Sequence, residues 1–343
     1  MRTASYIGLV VAAFAIASSA FAETTPSANA KSAAQPAESG IRQSAAIARK
    51  TAFKVDPLEA MHAPILRTNT GQPLATEAEL DLLLDANDGH VEHWSMAKAA
   101  LVVCGVTDPA RQKHYFAQLK QIEAGCKQAT ANTKNAEARA RALGAYLLKE
   151  PMHAGYESGQ SDLAVLLDTG KFNCVSSAVL YNMMAPRVGL QVRAVSISGH
   201  VFTRTLDFDV EPTSGKVYPL DDRNRRALKM ESKNDNPLAP FNHQLFREMG
   251  NAGLLSSMYN NLASDFGKEH RYEEAVAAYL KGACLDPGNI GLVYNLRVMF
   301  GSWINHCKAD HDEAQAVAIQ KFAEQILRPI EVTPNATEQV ARR

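Results

Sequence analysis

The stretch GKFNC at residues 170–174 stands directly before an apolar run, Val175 to Ala185, which Pro186 ends. This pattern predicts a loop that turns into a buried helix at Cys174. At a helix start, the Cys174 sulfur would face backbone N–H groups that have no helical partner and the positive end of the helix dipole. Both favour a thiolate, so Cys174 is a candidate nucleophile.

Two β-branched, alternating runs follow this helix, Val192–Ile197 and His200–Thr205. They predict antiparallel strands that pack against the helix. His200 comes directly after Gly199 and begins the second strand. An imidazole at that point could reach the helix start and act there as general base and then as general acid. The sequence therefore predicts that His200 works together with Cys174.

Two acids in the next run, Asp209 and Glu211, are candidates to orient His200. If a hairpin turns between Thr205 and Leu206, Glu211 lies directly opposite His200 and Asp209 is the diagonal neighbour. Both acids then share the face of His200, because side chains alternate along a strand. A loop with one residue more or fewer would turn both acids to the other face. We predict Glu211 as the acid, with Asp209 as the alternate.

These residues resemble the hallmarks of the transglutaminase-like superfamily, within the papain-like cysteine hydrolase group. Members of that superfamily have a Cys at a helix N-terminus, a strand that begins with Gly-His, and an acid that opens a Pro-Thr turn. The matching residues here are Cys174, Gly199-His200 and Glu211-Pro212-Thr213. The resemblance covers the centre of the chain and implies an α+β core.

The resemblance also implies covalent acyl transfer, in which a thiolate attacks an amide carbonyl and a thioester forms. Release to water would make the protein a peptidase or amidase, and release to an amine would make it a transglutaminase. The chemistry needs oxyanion donors, most simply the Cys174 N–H and one further donor, for which Gln160 and Asn173 are candidates. It calls for a peptide or protein substrate, and we predict no cofactor and no metal.

The composition is that of a globular protein without excess charge. Of 343 residues, 46% are hydrophobic, and 36 basic residues balance 36 acidic ones. This excludes a disordered chain and gives no electrostatic reason to expect nucleic acid as a partner. Residues 1–22 carry one charge, an apolar run and the pattern Ala20-Phe21-Ala22, which is typical of a secretory signal peptide. We therefore predict an exported protein, periplasmic or extracellular, without a membrane span.

The predicted organisation is a signal peptide (1–22), a flexible linker (23–50), a helical domain (51–150), a transglutaminase-like core (151–230), a linker (231–250), a tetratricopeptide-like helical region (251–330) and a tail (331–343). The repeat assignment rests on a 34-residue pattern that counts from Ser256. Its large residues are Tyr259, Leu262, Phe266 and Tyr279, its small ones are Ala263, Ala275 and Gly282, and Pro287 ends it. Two interpretations stay open, a groove for a protein partner and a helical buttress for the core.

Export would allow the five cysteines to form disulfides. Cys104 and Cys126 lie within one predicted helical segment, and Cys284 and Cys307 lie within another. These pairings would leave Cys174 alone as a thiol. The alternative is that all five are buried thiols, since connectivity cannot be deduced from sequence.

The sequence thus predicts an α+β protein, with a helical N-terminal segment, a core of one helix on an antiparallel sheet, and C-terminal helical hairpins. The predicted function is thiol-dependent acyl transfer on amide bonds through Cys174, His200 and Glu211. The alternative is a catalytically inactive protein of the same fold that binds other proteins. The two hypotheses differ in whether the Cys174 thiol reacts.

Overall fold

The computed structural model describes residues 52–68, 71–86, 89–197, 199–220 and 247–328. The predicted signal peptide, the linker 23–50 and the tail 331–343 lie outside the described residues. Most of the predicted linker 231–250 lies outside them as well.

Within the described ranges, the N-terminal part of the chain consists of five helices. They are α1 (Pro57–Ala60), α2 (Glu77–Asp85), α3 (Met96–Val103), α4 (Pro109–Thr130) and α5 (Ala136–Lys149). The start of α4 shows why the sequence folds this way. The Asp108 carboxylate accepts a hydrogen bond from the Arg111 N–H at 2.8 Å, and Pro109 occupies the first helical turn.

The central part combines helices with two sheets. In chain order it comprises β1 (Gly155–Tyr156), α6 (Leu163–Thr169), β2 (Lys171–Phe172), α7 (Cys174–Met184), β3 (Arg193–Ile197), β4 (His200–Arg204), β5 (Phe208–Glu211), β6 (Lys216–Pro219) and β7 (Arg247–Met249). Strands β1 and β2 form a short parallel pair, and the other five form an antiparallel sheet in the order β6-β5-β4-β3-β7. The protein is therefore α+β, as the sequence predicts.

Helix α7 is buried on all sides because it lies between two hydrophobic clusters. Cys174, Val175 and Val179 belong to the larger cluster, whereas Leu180 and Tyr181 belong to the smaller one. A helix in this position needs apolar residues around its whole circumference, which explains the unbroken apolar run in the sequence. Its packing against β4 brings the start of the helix close to the start of that strand.

The register of the β4–β5 hairpin differs from the predicted one. Thr203 pairs with Val210 and Arg204 with Asp209, so the turn lies between Leu206 and Asp207 rather than between Thr205 and Leu206. Moving the turn by one residue moves every partner by two, which leaves each side chain on its predicted face. Glu211 is consequently a diagonal neighbour of His200, not the residue directly opposite.

Four helices form the C-terminal region. They are α8 (Asn251–Lys268), α9 (Tyr272–Leu285), α10 (Ile290–Ala309) and α11 (Glu313–Ile326). Helix α8 packs against α7 and the sheet as well as against α9. The larger hydrophobic cluster includes residues from all three parts of the chain, from Phe53 to Leu327. The C-terminal region is therefore helical, while the tetratricopeptide assignment stays a prediction.

The two ends of the described chain meet. Phe53 and Leu327 form an antiparallel bridge, and the Lys54 N–H donates to the Ile326 carbonyl at 2.8 Å. None of the helices in the described ranges is long and apolar enough to cross a bilayer.

The predicted disulfides Cys104–Cys126 and Cys284–Cys307 are wrong. All five cysteines are free thiols in the structure. Cys126 is buried in the smaller cluster, whereas Cys104 packs against the larger one and accepts a hydrogen bond from the Leu163 N–H at 3.2 Å. The two thiols therefore lie in different cores.

The second pair is kept apart by the length of α9. Cys307 lies near Tyr272 at the start of this helix, and Cys284 stands near its end. Cys284 comes 12 positions after Tyr272 in the helix, so the two residues lie about 18 Å apart along the helix axis. A thiol near Tyr272 is therefore too far from Cys284 to form a disulfide. The interpretation of buried thiols is therefore the one that the structure supports.

Candidate active site

The N-terminus of α7 is fixed by a capping box. The Asn173 side-chain oxygen accepts hydrogen bonds from the Val175 N–H at 2.9 Å and the Ser176 N–H at 3.1 Å, and Ser176 Oγ accepts one from the Asn173 N–H at 3.0 Å. Cys174 is the first helical residue, and only 8% of it is exposed. Its sulfur therefore stands at the positive end of a rigidly held helix.

The Cys174 N–H makes no hydrogen bond with any described residue. The cap satisfies the N–H groups of the two residues that follow, and the first helical N–H has no carbonyl one turn before it. This N–H is therefore a donor that a bound substrate could use.

His200 lies between the thiol and an acid. Its Nε2 is 2.6 Å from Glu211 Oε2, and the side chains are 15% and 12% exposed. Its ring also lies close enough to the Cys174 thiol for the two groups to interact. Because Nε2 faces the carboxylate, Nδ1 is the nitrogen left for the sulfur.

The Glu211 carboxylate is held by the turn that follows it. Its Oε1 accepts hydrogen bonds from the Thr213 hydroxyl at 2.7 Å and the Thr213 N–H at 3.3 Å, which leaves Oε2 for His200. Burial alone would raise the pKa of Glu211, but the hydrogen bonds and charge of His200 together with the Thr213 contacts lower it. Glu211 is therefore ionised at neutral pH.

The charge state of His200 follows from the same contacts. Burial alone would lower the pKa of His200, whereas its interactions with Cys174 and Glu211 raise it to about 10. The imidazolium is thus the stable form of His200 at neutral pH. A thiol at a helix N-terminus, a charged imidazole and a fixed carboxylate are the parts that nucleophilic cysteine catalysis requires.

Residues 113–260 match the family model of the transglutaminase-like superfamily. The matched part runs from α4 into α8 and includes Cys174, His200 and Glu211. It is less than half of the chain. No curated protein and no solved structure gives a significant match to this chain.

The alternate acid of the transglutaminase-like region, Asp209, is engaged elsewhere. Its carboxylate binds the Arg204 guanidinium at 2.8 Å and 3.3 Å, and the Asp209 side chain is completely buried. A second carboxylate, that of Glu248 on β7, binds the same guanidinium at 3.0 Å. The structure therefore places Asp209 in an ion pair with Arg204 within the sheet, and the carboxylate bound to His200 is that of Glu211.

The two predicted oxyanion donors support the helix start instead. Both amide hydrogens of Asn173 are used, in hydrogen bonds to Ser158 O at 3.0 Å and Ser161 Oγ at 2.7 Å. The Gln160 side chain donates from Nε2 to the Asp162 backbone carbonyl at 3.0 Å. The Gln160 backbone carbonyl accepts a hydrogen bond from the Ser176 hydroxyl at 2.7 Å. The Asn173 side chain is thus excluded as a donor, and the Gln160 amide holds a loop.

Two contacts of the site have no signal in the sequence. The Tyr156 hydroxyl lies beside the Cys174 thiol, although Tyr156 belongs to a two-residue strand with no alternating pattern. Asn261 on α8 donates to Ser161 Oγ at 2.7 Å, and that oxygen also accepts from Asn173. Both contacts depend on how distant segments pack, which no local motif encodes.

Proposed function

We propose that the protein is an exported thiol-dependent acyl-transfer enzyme that acts on amide bonds of peptides or proteins. The observation that carries the proposal is the position of His200, hydrogen-bonded to Glu211 at 2.6 Å and beside the Cys174 thiol at the start of α7. The match to the transglutaminase-like superfamily over these residues supports it. Export rests on the N-terminal sequence pattern.

In the first half of the proposed cycle, the Cys174 thiolate attacks the carbonyl carbon of an amide, and the electron pair of the C=O π bond moves to the oxygen. When the tetrahedral intermediate collapses, the C–N bond breaks and the His200 imidazolium gives its proton to the leaving amine. A thioester then remains on Cys174. Glu211 holds the imidazole in place and stabilises its positive charge.

In the second half, a water molecule or another amine attacks the thioester. The neutral His200 takes the proton of the attacking group, and the sulfur leaves as a thiolate, which restores the starting ion pair. Water gives hydrolysis, and an amine gives transamidation. Both reactions use the same three side chains, so the proposal covers both.

We also propose that the C-terminal helices act as a buttress for this site. The supporting observation is the chain of hydrogen bonds from Asn261 through Ser161 to Asn173, which caps the catalytic helix. A groove for a protein partner on these helices stays a prediction.

The test uses 4-nitrophenyl acetate, a small activated ester that reports acylation without a specific binding pocket. We expect rapid acetylation of Cys174, located by peptide mass, and a loss of fast 4-nitrophenolate release by at least about 10³-fold in Cys174→Ala. Cys307→Ala is the matched control, because Cys307 has the same 8% exposure as Cys174 but lies near the C-terminal end of α10 among acidic residues.

An equal rate of acetylation at Cys174 and the other thiols would contradict the proposal. It would favour the inactive protein-binding alternative. If Cys174 is acylated, the rate at which the thioester disappears is then measured in buffer alone and with an added primary amine. Loss in buffer alone indicates hydrolysis, and faster loss with formation of an amide indicates transamidation.

A further inference from the structure

Tyr156 stands at the boundary between Cys174 and solvent. The residue is 57% exposed, which is unusual for an aromatic side chain whose hydroxyl reaches a buried thiol. The hydroxyl lies beside the thiol and close enough to Glu211 for the carboxylate charge to affect it. Tyr156 thus combines an exposed ring with a hydroxyl next to the reacting sulfur.

The position of Tyr156 is fixed by the strand that leads into the catalytic helix. Tyr156 pairs with Phe172, two residues before Cys174, and the next N–H, that of Glu157, donates to the Phe172 carbonyl at 2.8 Å. The two aromatic rings pack edge to face with centroids 6.2 Å apart. A Glu157–Lys171 ion pair at 2.8 Å joins the same two strands. The phenol is therefore held in register with the nucleophile.

Among the described residues around Cys174, its own backbone N–H is an oxyanion donor. Asn173 has no amide hydrogen left for a second one, and Gln160 uses one of its two amide hydrogens to hold the loop before α6. We propose that the Tyr156 hydroxyl is the second oxyanion donor and acts with the Cys174 N–H during acyl transfer. This inference rests on the proposed function of Cys174.

A donor accelerates the reaction only if it binds the transition state more strongly than the ground state. A thiolate spreads its charge over a large, polarisable sulfur, whereas an oxyanion concentrates its charge on a small oxygen and forms stronger, charge-assisted hydrogen bonds. As the sulfur attacks, negative charge moves to the carbonyl oxygen, and rotation of the phenolic O–H lets the donor follow it. Burial and the nearby Cys174 raise the pKa of Tyr156, which keeps the phenol protonated.

The test compares two reactions of the same thiol in Tyr156→Phe, which removes the hydroxyl and keeps the ring on Phe172. Acetylation by 4-nitrophenyl acetate passes through an oxyanion, while alkylation by iodoacetamide does not. We expect acetylation to slow by about 10²-fold and alkylation to stay within about twofold of the wild-type rate. Tyr294→Phe on α10 is the control for the same chemical change, and its two rates should both stay at the wild-type level.

Three results would overturn the inference. Unchanged acetylation in Tyr156→Phe would show that the hydroxyl is no donor. A parallel fall of both rates would show that it acts on the thiolate itself, and a rise of both would show that it covers the thiol. If these results occur while Cys174→Ala abolishes acetylation, only this inference fails. If Cys174→Ala acetylates like the wild type, the proposed function fails with it.

Discussion

Strand β5 carries two carboxylates on one face, and each is paired with a cation on β4. Asp209 binds Arg204 with side-chain exposures of 0% and 8%, and Glu211 binds His200 with exposures of 12% and 15%. Arg204 is held by a second carboxylate, Glu248, whereas the second partner of His200 is a thiol. Two similar ion pairs on one hairpin therefore differ in what their cation can do.

The difference lies in whether the cation can give up a proton. Arg204 keeps its charge at any pH that the fold survives, so its pair with Asp209 can only stabilise structure. His200 can change its charge state and touches the group that would react. Two residues along a strand thus separate a structural ion pair from a candidate catalytic one.

The largest expected effect is on activity, from Glu211→Gln. An amide cannot balance the imidazolium, so acetylation of Cys174 by 4-nitrophenyl acetate should fall by about 10³-fold or more. The free energy of unfolding should fall by only about 1 kcal/mol, because the amide can still hydrogen-bond to His200 and Thr213. Stopped-flow acylation and urea unfolding measure the two quantities.

The next effect is on stability, from Asp209→Asn. This change removes one carboxylate from the buried Arg204 guanidinium, so the free energy of unfolding should fall by about 3 kcal/mol. The folded protein should acylate at close to the wild-type rate. Glu211→Gln is the matched control on the same strand. Equal losses of activity in the two variants would mean that Asp209 also serves the site.

A smaller effect distinguishes the pairs by pH. His200 has a raised pKa of about 10, so its pairing stabilises the fold fully below its unfolded pKa near 6.5 and is lost as pH rises through about 10. Glu211 has a lowered pKa, so its contribution is present above about 4.5 and is lost as pH falls through its folded value. Arg204, whose pKa is raised, stays charged across this range.

Urea unfolding at several pH values checks this expectation. The stability difference between wild type and Glu211→Gln should be largest between about pH 4.5 and 6.5 and should shrink toward pH 10. The difference for Asp209→Asn should stay constant from neutral pH to pH 10. A Glu211→Gln difference that does not shrink would mean that His200 is not the titrating partner.

The sequence predicts the faces of this hairpin but not its register. Because side chains alternate along a strand, His200, Asp209 and Glu211 share one face with the predicted turn and also with the observed turn. The prediction of the face is therefore correct although the predicted register is wrong. The turn is set by the Thr205 hydroxyl, which accepts from the Phe208 N–H at 3.0 Å and closes the loop one residue later than predicted. That side-chain contact was not evident from the strand pattern.

The helix start at Cys174 is predictable for a different reason. Its signal is local, namely a loop sequence that passes directly into an apolar run, and the structure places the helix boundary there. Tyr156 and Asn261 reach the site from β1 and α8, and their positions depend on tertiary packing. The cysteine pairing was predicted wrongly because spacing along the chain does not reveal which core each helix face enters.

The most direct test of the central claim, that His200 activates the Cys174 thiol, is the rate of iodoacetamide alkylation in the wild type and in His200→Ala, with each modified cysteine located by peptide mass. We expect Cys174 to react fastest of the five, and His200→Ala to remove that reactivity. Cys307 serves as the internal reference, because burial raises its pKa. A Cys174 that reacts no faster than Cys307, or whose rate is unchanged in His200→Ala, would contradict the account.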